Sequence, residues 1–260
     1  MSEQERVIPA ALAAVTVSMS FPSPEGRLAV LDHVSLEIPQ GSFIALIGPS
    51  GCGKTTLIKV LAGLLTPDSG RIIIGAYEED PRDRIAYMPQ SDTLLPWHTA
   101  INNAILASRI AKRPKQVALA EAKDLFSRFG LSGFEDLYPT ELSGGMRQRL
   151  ALIRTFLAHR DVLLLDEPLG SLDALTRASL QDWLLSIWQE LKKTILLVTH
   201  DVEEAALLSD KIILLSARPA HVREVFPVGF PRPRSRTATP LVRLKGEILD
   251  LIHAECSDAR

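Results

Sequence analysis

The segment that most constrains this fold is a glycine-rich run between an apolar strand pattern and a helical pattern. Its residues, Gly48-Pro-Ser-Gly-Cys-Gly-Lys54-Thr55, match G-x-x-x-x-G-K-[ST] completely. Glycines let the backbone wrap a polyphosphate with its N–H groups pointing inward, and the following helix offers its positive end to the same anion. Lys54 is placed to reach the β- and γ-phosphates, and the Thr55 hydroxyl to hold Mg²⁺. The run therefore predicts a strand–loop–helix unit that binds a nucleoside triphosphate.

The pattern around this loop predicts an α/β fold with a mostly parallel sheet. Apolar runs alternate with helical segments along the chain, which is typical of parallel strands covered by helices. Two earlier segments alternate in hydrophobicity and predict an N-terminal antiparallel β portion. The predicted strands are Val15–Phe21, Val30–Ile38, Phe43–Ile47, Arg71–Ile74, Ile85–Met88, Val162–Leu165, Thr194–Thr199, Lys211–Leu215 and Arg223–Phe230, and the predicted helices are Lys54–Leu65, Met146–His159, Asp173–Lys192, Val202–Leu208 and one marked by Leu241 to Leu251.

From about Ser91 to Glu141 the strand pattern disappears, and Ala, Leu, Lys and Arg dominate from Ile101 to Phe129. This composition predicts a helical insertion. We expect a single domain over residues 1–260, with residues 1–90 and 146–218 as its core. Residues 91–145 would form a helical subdomain, and residues 219–260 a short C-terminal extension.

Two carboxylates follow the apolar run Val162–Leu165 directly. Asp166 suits a Mg²⁺ site, and Glu167, which faces the other way, can polarise an attacking water. A solvated strand end would explain the pair if it stood alone. Its combination with the phosphate loop favours the catalytic interpretation.

Composition excludes several classes of protein. Lys and Arg number 29 against 31 Asp and Glu, a net charge of −2. This charge does not attract the chain to nucleic acid or to an anionic membrane. No segment reaches the ~18 consecutive apolar residues of a membrane span. Glu3 and Glu5 replace the positive region of a secretion signal. Two cysteines, Cys52 and Cys256, favour a reducing compartment.

A second phosphate cradle is predicted at Leu142-Ser-Gly-Gly-Met146, which opens a helix. With the motifs above, it resembles the ATP-binding cassette (ABC) ATPases over roughly Val15 to Leu215. The resemblance implies that Ser143, Gly144 and Gly145 of one subunit close on the γ-phosphate held by another. Two ATP molecules would then be sandwiched in a head-to-tail homodimer, or in a heterodimer with a paralogue.

Other positions match the family's landmarks in order. The resemblance implies that Gln90 touches Mg²⁺ and the attacking water, that Ser171-Leu-Asp173 crosses the dimer interface, and that His200 contacts the γ-phosphate. Phe21 stands where an aromatic ring usually stacks on adenine, although a core position in its strand stays open. The implied catalytic residues are Glu167, His200 and Gln90; the Mg²⁺ residues are Thr55, Gln90 and Asp166; and the ATP-binding residues are Phe21, Gly48, Ser50, Gly51, Gly53, Lys54, Thr55, Thr56, Ser143, Gly144, Gly145 and Asp173.

Two kinds of cassette protein must be separated. Cassette ATPases that act on nucleic acid carry a long coiled coil or zinc modules between the two phosphate cradles. Here Lys54 and Ser143 are only 89 residues apart, without heptads or cysteine pairs. The segments Met88–Thr99 and Pro231–Arg234 are similar to importers of the nitrate, sulfonate and taurine group. That likeness implies a peripheral ATPase at the cytoplasmic side of the inner membrane, partnered by a permease and, indirectly, by an extracytoplasmic solute-binding protein.

Trp97 is the candidate contact with the permease, because an aromatic ring in a polar loop is unfavourably exposed to water unless a partner covers it. Burial of Trp97 inside the helical subdomain is an equally open alternative. Trp183 and Trp188 follow helical spacing and are expected in the core. The basic run Arg232–Arg236 is expected to be a short solvated loop rather than a lipid contact.

Overall fold

A computed structural model of the chain describes residues 10–24, 26–75, 81–170 and 172–258. It contains a six-stranded sheet, a separate three-stranded antiparallel sheet and helices around both. The strands are β1 Ala10–Ser23, β2 Gly26–Pro39, β3 Phe43–Ile47, β4 Ser69–Ile74, β5 Ile85–Met88, β6 Val162–Asp166, β7 Thr194–Val198, β8 Lys211–Leu215 and β9 Val222–Pro227. The helices are α1 Lys54–Leu61, α2 Pro81–Arg84, α3 Ala100–Ala104, α4 Leu106–Ile110, α5 Lys115–Arg128, α6 Gly144–Phe156, α7 Ala174–Leu191, α8 Val202–Leu208 and α9 Thr239–Asp258, with a 3-10 turn at Pro139–Glu141.

The six-stranded sheet has the order β5-β6-β7-β3-β8-β9. The first five of these strands are parallel, and β9 pairs antiparallel to β8. Every residue of β3, β6 and β7 is buried, as expected for strands covered on both faces. The predicted mostly parallel α/β fold is thus confirmed. Because the strands are parallel, the residues that follow β3, β5, β6 and β7 meet at one edge of the sheet.

The antiparallel sheet has the order β2-β1-β4. Its two long strands pair from Ala10 opposite Pro39 to Ser23 opposite Gly26, with register shifts along the ladder. They extend well beyond the predicted segments, because the backbone ladder continues through the alanine-rich start of β1 and through polar and proline residues, none of which shows hydrophobic alternation. Helix α1 is shorter than predicted and ends at Leu61, since Gly63 takes a left-handed φ of 70° that closes the helix.

The helical insertion is built from α3, α4 and α5 before the turn at Pro139–Glu141. Ala118, Ala122 and Phe126 form the buried face of α5, which packs in the same apolar core as α6. Trp183 on α7 lies against Phe129, with ring centroids 3.5 Å apart, so its predicted core packing is found. The division of the chain at residues 91, 146 and 219 remains a prediction.

The predicted solvated loop at Arg232–Arg236 is wrong for two of its arginines. The Arg232 side chain is 12% exposed, donates to the Leu208 carbonyl at 2.6 Å and pairs with Asp210 at 2.6 Å. Arg234 donates to the carbonyls of Ala206 at 2.8 Å and Ser209 at 2.6 Å. The last carbonyls of a helix have no partners within it, and both guanidinium groups satisfy such carbonyls at the end of α8.

Candidate functional site

The phosphate loop runs from the end of β3 to the start of α1. Lys54 is 7% exposed, and its ammonium donates to the carbonyls of Gly48 at 2.8 Å and Pro49 at 2.9 Å. A buried ammonium needs such acceptors, and the loop provides them by curling around it. Ser50 and Gly51 lie exposed on the outside of the loop.

Gly53 and Gly48 sit where no larger residue fits. Gly53 has a φ of 122°, and a Cβ atom there would lie 2.9 Å from Cγ1 of Val30. A Cβ at Gly48 would lie 2.9 Å from the carbonyl oxygen of Leu215. The glycines therefore let the loop pack closely against β2 and β8, which keeps its backbone in one shape.

A cavity of about 320 Å³ opens beside this loop. Phe21 lines it from β1 and also packs partly against the core beneath the antiparallel sheet. The structure thus brings Phe21 to the phosphate loop, and its stacking on a base stays a prediction. The lining residues are Phe21, Leu28, Val30, Gly51, Gly53, Lys54, Thr55, Thr56 and Arg218.

Asp166 ends β6 and is completely buried. The Thr55 hydroxyl donates to its Oδ1 at 3.5 Å, and the Tyr87 hydroxyl donates to its Oδ2 at 3.4 Å. Burial raises the pKa of Asp166, and both hydrogen bonds oppose that change. Tyr87, which the sequence reasoning missed, holds the carboxylate from β5 and has its own pKa raised by the same burial.

Glu167 lies in the left-handed region, with a φ of 49°, which costs a non-glycine residue roughly 1–3 kcal/mol. Gln90 Nε2 donates to Glu167 Oε2 at 3.0 Å, and His200 Nδ1 lies 3.3 Å from the same oxygen. The three predicted catalytic residues therefore meet at one carboxylate oxygen. A left-handed backbone thus presents the carboxylate on which the other two residues meet.

The second phosphate cradle lies elsewhere. Ser143 is the N-cap of α6, and its hydroxyl accepts from the Met146 amide at 3.3 Å. Gly144 is exposed, and a Cβ at Gly145 would lie 3.1 Å from Cδ2 of Leu172. Among the described residues, none of this cradle lines the cavity beside the phosphate loop. Within one copy of the chain, the predicted second cradle is therefore separate from the phosphate loop.

Asp173 is the N-cap of α7 and accepts from the amides of Leu175 at 3.1 Å and Thr176 at 3.0 Å. The hydrogen bonds with Thr176 hold the pKa of the Asp173 carboxyl below its usual value. Asp173 does not line the cavity, and Ser171 lies outside the described residues.

Glu204 is a second residue that the sequence reasoning missed. It is 4% exposed, accepts a short hydrogen bond from the Thr199 hydroxyl and lines the same small cavity as His200. Burial raises its pKa to about 7. The sequence signal for Glu204 is a carboxylate among the apolar residues of Val202–Leu208. A buried acid in such a setting needs a hydrogen-bond partner nearby, which here is Thr199.

The donor set fits a nucleotide with Mg²⁺. The Thr55 hydroxyl and the Asp166 carboxylate are close enough to share one cation, and Gln90 offers a further oxygen at the same sheet edge. Mg²⁺ prefers such oxygen ligands and keeps several waters. Lys54, the loop amides and the N-terminus of α1 are the groups that would hold the phosphates.

Comparison with known proteins decides the family. The model of the ABC transporter family matches residues 31–170, and the Bacillus cereus aliphatic sulfonates import ATP-binding protein SsuB is 40% identical over 90% of this chain and 92% of its own length. This chain belongs to the ABC transporter family. The formylaminopyrimidine import ATP-binding protein ThiZ of Halalkalibacterium halodurans is 45% identical over 74% of this chain and 75% of its own length.

Solved structures agree with this ABC assignment. The dimeric structure of MJ0796, described as a bacterial ABC transporter cassette, superposes with a TM-score of 0.76 at 27% identity, over 84% of this chain and all of that one. Another structure of the same cassette, in a post-hydrolysis state, is bound to ADP and Pi, with a TM-score of 0.75. The predicted ABC fold and ATPase activity are thus confirmed. Within the part of the chain that the structure describes, no helix is long and apolar enough to cross a membrane.

Proposed function

We propose that this chain powers an ABC importer for a small solute of the nitrate, sulfonate and taurine type. Relatives that cover most of its length are named as ATP-binding subunits of importers for aliphatic sulfonates and formylaminopyrimidine. It would act at the cytoplasmic face of the membrane, as a homodimer or with a paralogue, beneath a permease. An extracytoplasmic solute-binding protein would deliver the solute to that permease.

The observation that carries the hydrolytic part is the meeting of Gln90 and His200 at Glu167 Oε2. A carboxylate held on two sides can orient one water and accept its proton. Lys54 and the loop amides would bind the phosphates, and Thr55 and Asp166 would hold the Mg²⁺, which stabilises negative charge on the phosphates when bound.

The dimer is supported by the second phosphate cradle. Ser143 and Gly145 present a helix N-terminus away from the chain's own cavity, and such an end attracts phosphate. A second copy placed head-to-tail would give each cradle a γ-phosphate to bind. The similar solved cassette is dimeric.

Coupling to the permease is supported by the segment after Gln90. Trp97 is 69% exposed, so burial inside the helical subdomain does not occur in this chain. The buried Asn103 amide donates to the carbonyls of Leu95, His98 and Thr99 and holds the loop that presents the indole. A large apolar side chain on a fixed loop is typical of a protein contact.

Two arginines of α6 tie this loop to the second cradle. Arg147 pairs with Asp92 at 2.9 Å, and Arg154 donates to the carbonyls of Asp92 at 2.7 Å and Thr93 at 2.9 Å. A displacement of Gln90 would therefore be passed through this loop to α6 and to the cradle at its start. This linkage provides a physical route from nucleotide to permease.

The hydrolytic site is tested with Glu167→Gln. The change removes the charge that polarises water and keeps nucleotide binding, so ATP turnover should fall at least 100-fold and an ATP-bound dimer should accumulate. Turnover is measured by phosphate release, and mass by light scattering after gel filtration with ATP·Mg²⁺. Glu247→Gln on α9, an exposed carboxylate, is the matched control. Wild-type turnover in Glu167→Gln would refute the assignment.

The permease contact is tested with Trp97→Ala. We expect solute uptake by proteoliposomes containing the whole transporter to be lost, while the basal ATPase activity of the isolated chain is kept. Ile110→Ala, which also truncates an exposed apolar side chain (75% exposed), is the control and should keep uptake. Unchanged uptake in Trp97→Ala would exclude this contact.

The solute itself is selected outside this chain. Labelled taurine, an alkanesulfonate, nitrate and formylaminopyrimidine should be offered one at a time to proteoliposomes that contain the receptor and permease of the same organism. Uptake of one of them that requires internal ATP and is lost in Glu167→Gln supports the importer. Efflux in place of uptake would refute the direction.

A further inference from the structure

Arg218 lies in the loop between β8 and β9 and lines the cavity beside the phosphate loop. The cavity has two cationic side chains among the described residues, Lys54 and Arg218. Lys54 is buried and bonded to carbonyls of the phosphate loop. Arg218 is exposed, and its guanidinium forms no hydrogen bond or ion pair within the part of the chain that the structure describes. The site thus contains a planar cation whose donors are unused.

The backbone that carries Arg218 is anchored to the cavity wall. The Ala220 amide donates to the Val30 carbonyl at 2.9 Å, and the Asp32 amide donates to the Ala220 carbonyl at 2.9 Å. On the other side, the Ala217 amide donates to Glu255 Oε2 of α9 at 3.1 Å. Val30 lines the same cavity, so Arg218 extends from a loop that is held in place at the site.

The cavity has a polar part that suits phosphates and an apolar part. Lys54, Thr55, the loop amides and the start of α1 already provide the groups that a triphosphate needs. The apolar residues Phe21, Leu28 and Val30 suit the base and ribose instead. A guanidinium group is planar, stacks on π faces and donates to oxygen and nitrogen acceptors.

We infer that Arg218 is a nucleotide-binding residue that contacts the base and ribose of ATP, as a second recognition group beside Phe21. The inference rests on the nucleotide site proposed above. The contact would hold ATP and ADP equally, because both carry the same base and ribose. It would contribute nothing to a ligand that consists of phosphates alone.

The test is titration calorimetry of Mg·ATP, Mg·ADP and Mg·tripolyphosphate. In Arg218→Ala and Arg218→Lys, both nucleotides should bind about three- to thirtyfold more weakly, the range of a cation–π contact, and tripolyphosphate should bind as in the wild type. Arg243→Ala removes an exposed cation from α9 and should change none of the three affinities. Lys54→Ala should lose all three ligands.

Each contrary outcome has its own meaning. Wild-type nucleotide affinity in Arg218→Ala, with binding lost in Lys54→Ala, overturns the Arg218 contact and leaves the site intact. Wild-type affinity for all three ligands in Lys54→Ala overturns the site itself. Equal weakening of ATP and tripolyphosphate in Arg218→Ala overturns the base contact in favour of a phosphate contact. Wild-type nucleotide affinity in Arg218→Lys would show that the positive charge is sufficient and would overturn stacking by the guanidinium group.

Discussion

Glu204 gives the chain a stability that should fall as pH rises. Burial raises its pKa from 4.5 to about 7, Asp201 adds to the rise, and the Thr199 hydroxyl and Arg177 oppose it. Because the folded-state pKa lies above the unfolded value, the neutral carboxyl favours folding at low pH. This contribution is complete below about pH 4.5 and is lost as pH rises through 7.

The difference of about 2.5 pKa units corresponds to about 3 kcal/mol of unfolding free energy. About 2 kcal/mol of that should be lost between about pH 5.5 and 8.5. Glu204→Gln keeps the shape and removes the titration. Relative to the wild type, the variant should therefore gain about 2 kcal/mol over this interval.

Urea denaturation of both proteins at the two pH values measures this gain, and other titrating groups cancel in the difference. Glu203→Gln is the matched control. Glu203 is bonded to Lys245 and Arg236, and these bonds lower the pKa of its carboxyl, so it stays ionised throughout and its replacement should cost the same at both pH values. An equal difference between wild type and Glu204→Gln at pH 5.5 and 8.5 would refute the reasoning.

Three further changes test close packing at Gly53 and Phe126 and hydrogen bonding at Arg234. Gly53→Ala places a methyl group 2.9 Å from Val30 Cγ1 at a φ of 122°. Calorimetry should therefore detect no tight ATP binding, while the circular dichroism spectrum stays that of the wild type. Wild-type ATP affinity would contradict the close approach. Phe126→Ala empties a fully buried position on α5 and should lower the unfolding free energy by about 3–5 kcal/mol, against under 1 kcal/mol expected for the exposed Val117→Ala. Arg234→Met removes hydrogen bonds to carbonyls at the end of α8, so urea denaturation should show an unfolding free energy lower by about 2 kcal/mol or more. An unchanged unfolding free energy would favour the solvated loop predicted from the sequence.

The phosphate loop could be predicted because its information is local. Gly48, Gly53, Lys54 and Thr55 are contiguous, and each residue type has one physical reason to stand at its spacing. The strands of the parallel sheet could be predicted for a related reason, since full burial leaves uninterrupted apolar runs such as Val162–Leu165. Strand ends were harder, because pairing with a neighbour extends a strand through residues that show no alternation.

The clamp of Arg232 and Arg234 on α8 could not be predicted. Their partners are backbone carbonyls, which carry no sequence signal, and they become acceptors only where a helix ends nearby in space. The place of Arg218 beside the phosphate loop could not be predicted for a similar reason. It lines the same cavity as Phe21 because the β8–β9 loop is hydrogen-bonded to β2. Neither contact involves residues that are neighbours along the chain.

The sequence by itself determined the family, the ATP-binding loop and the identity of the candidate catalytic groups, because motifs of fixed spacing encode them. Only the tertiary structure decided that Gln90 and His200 meet at one oxygen of Glu167. That meeting depends on three strand ends brought to one edge of a parallel sheet and on a left-handed backbone at Glu167. Such geometry arises from long-range packing, which residue types and spacing describe only indirectly.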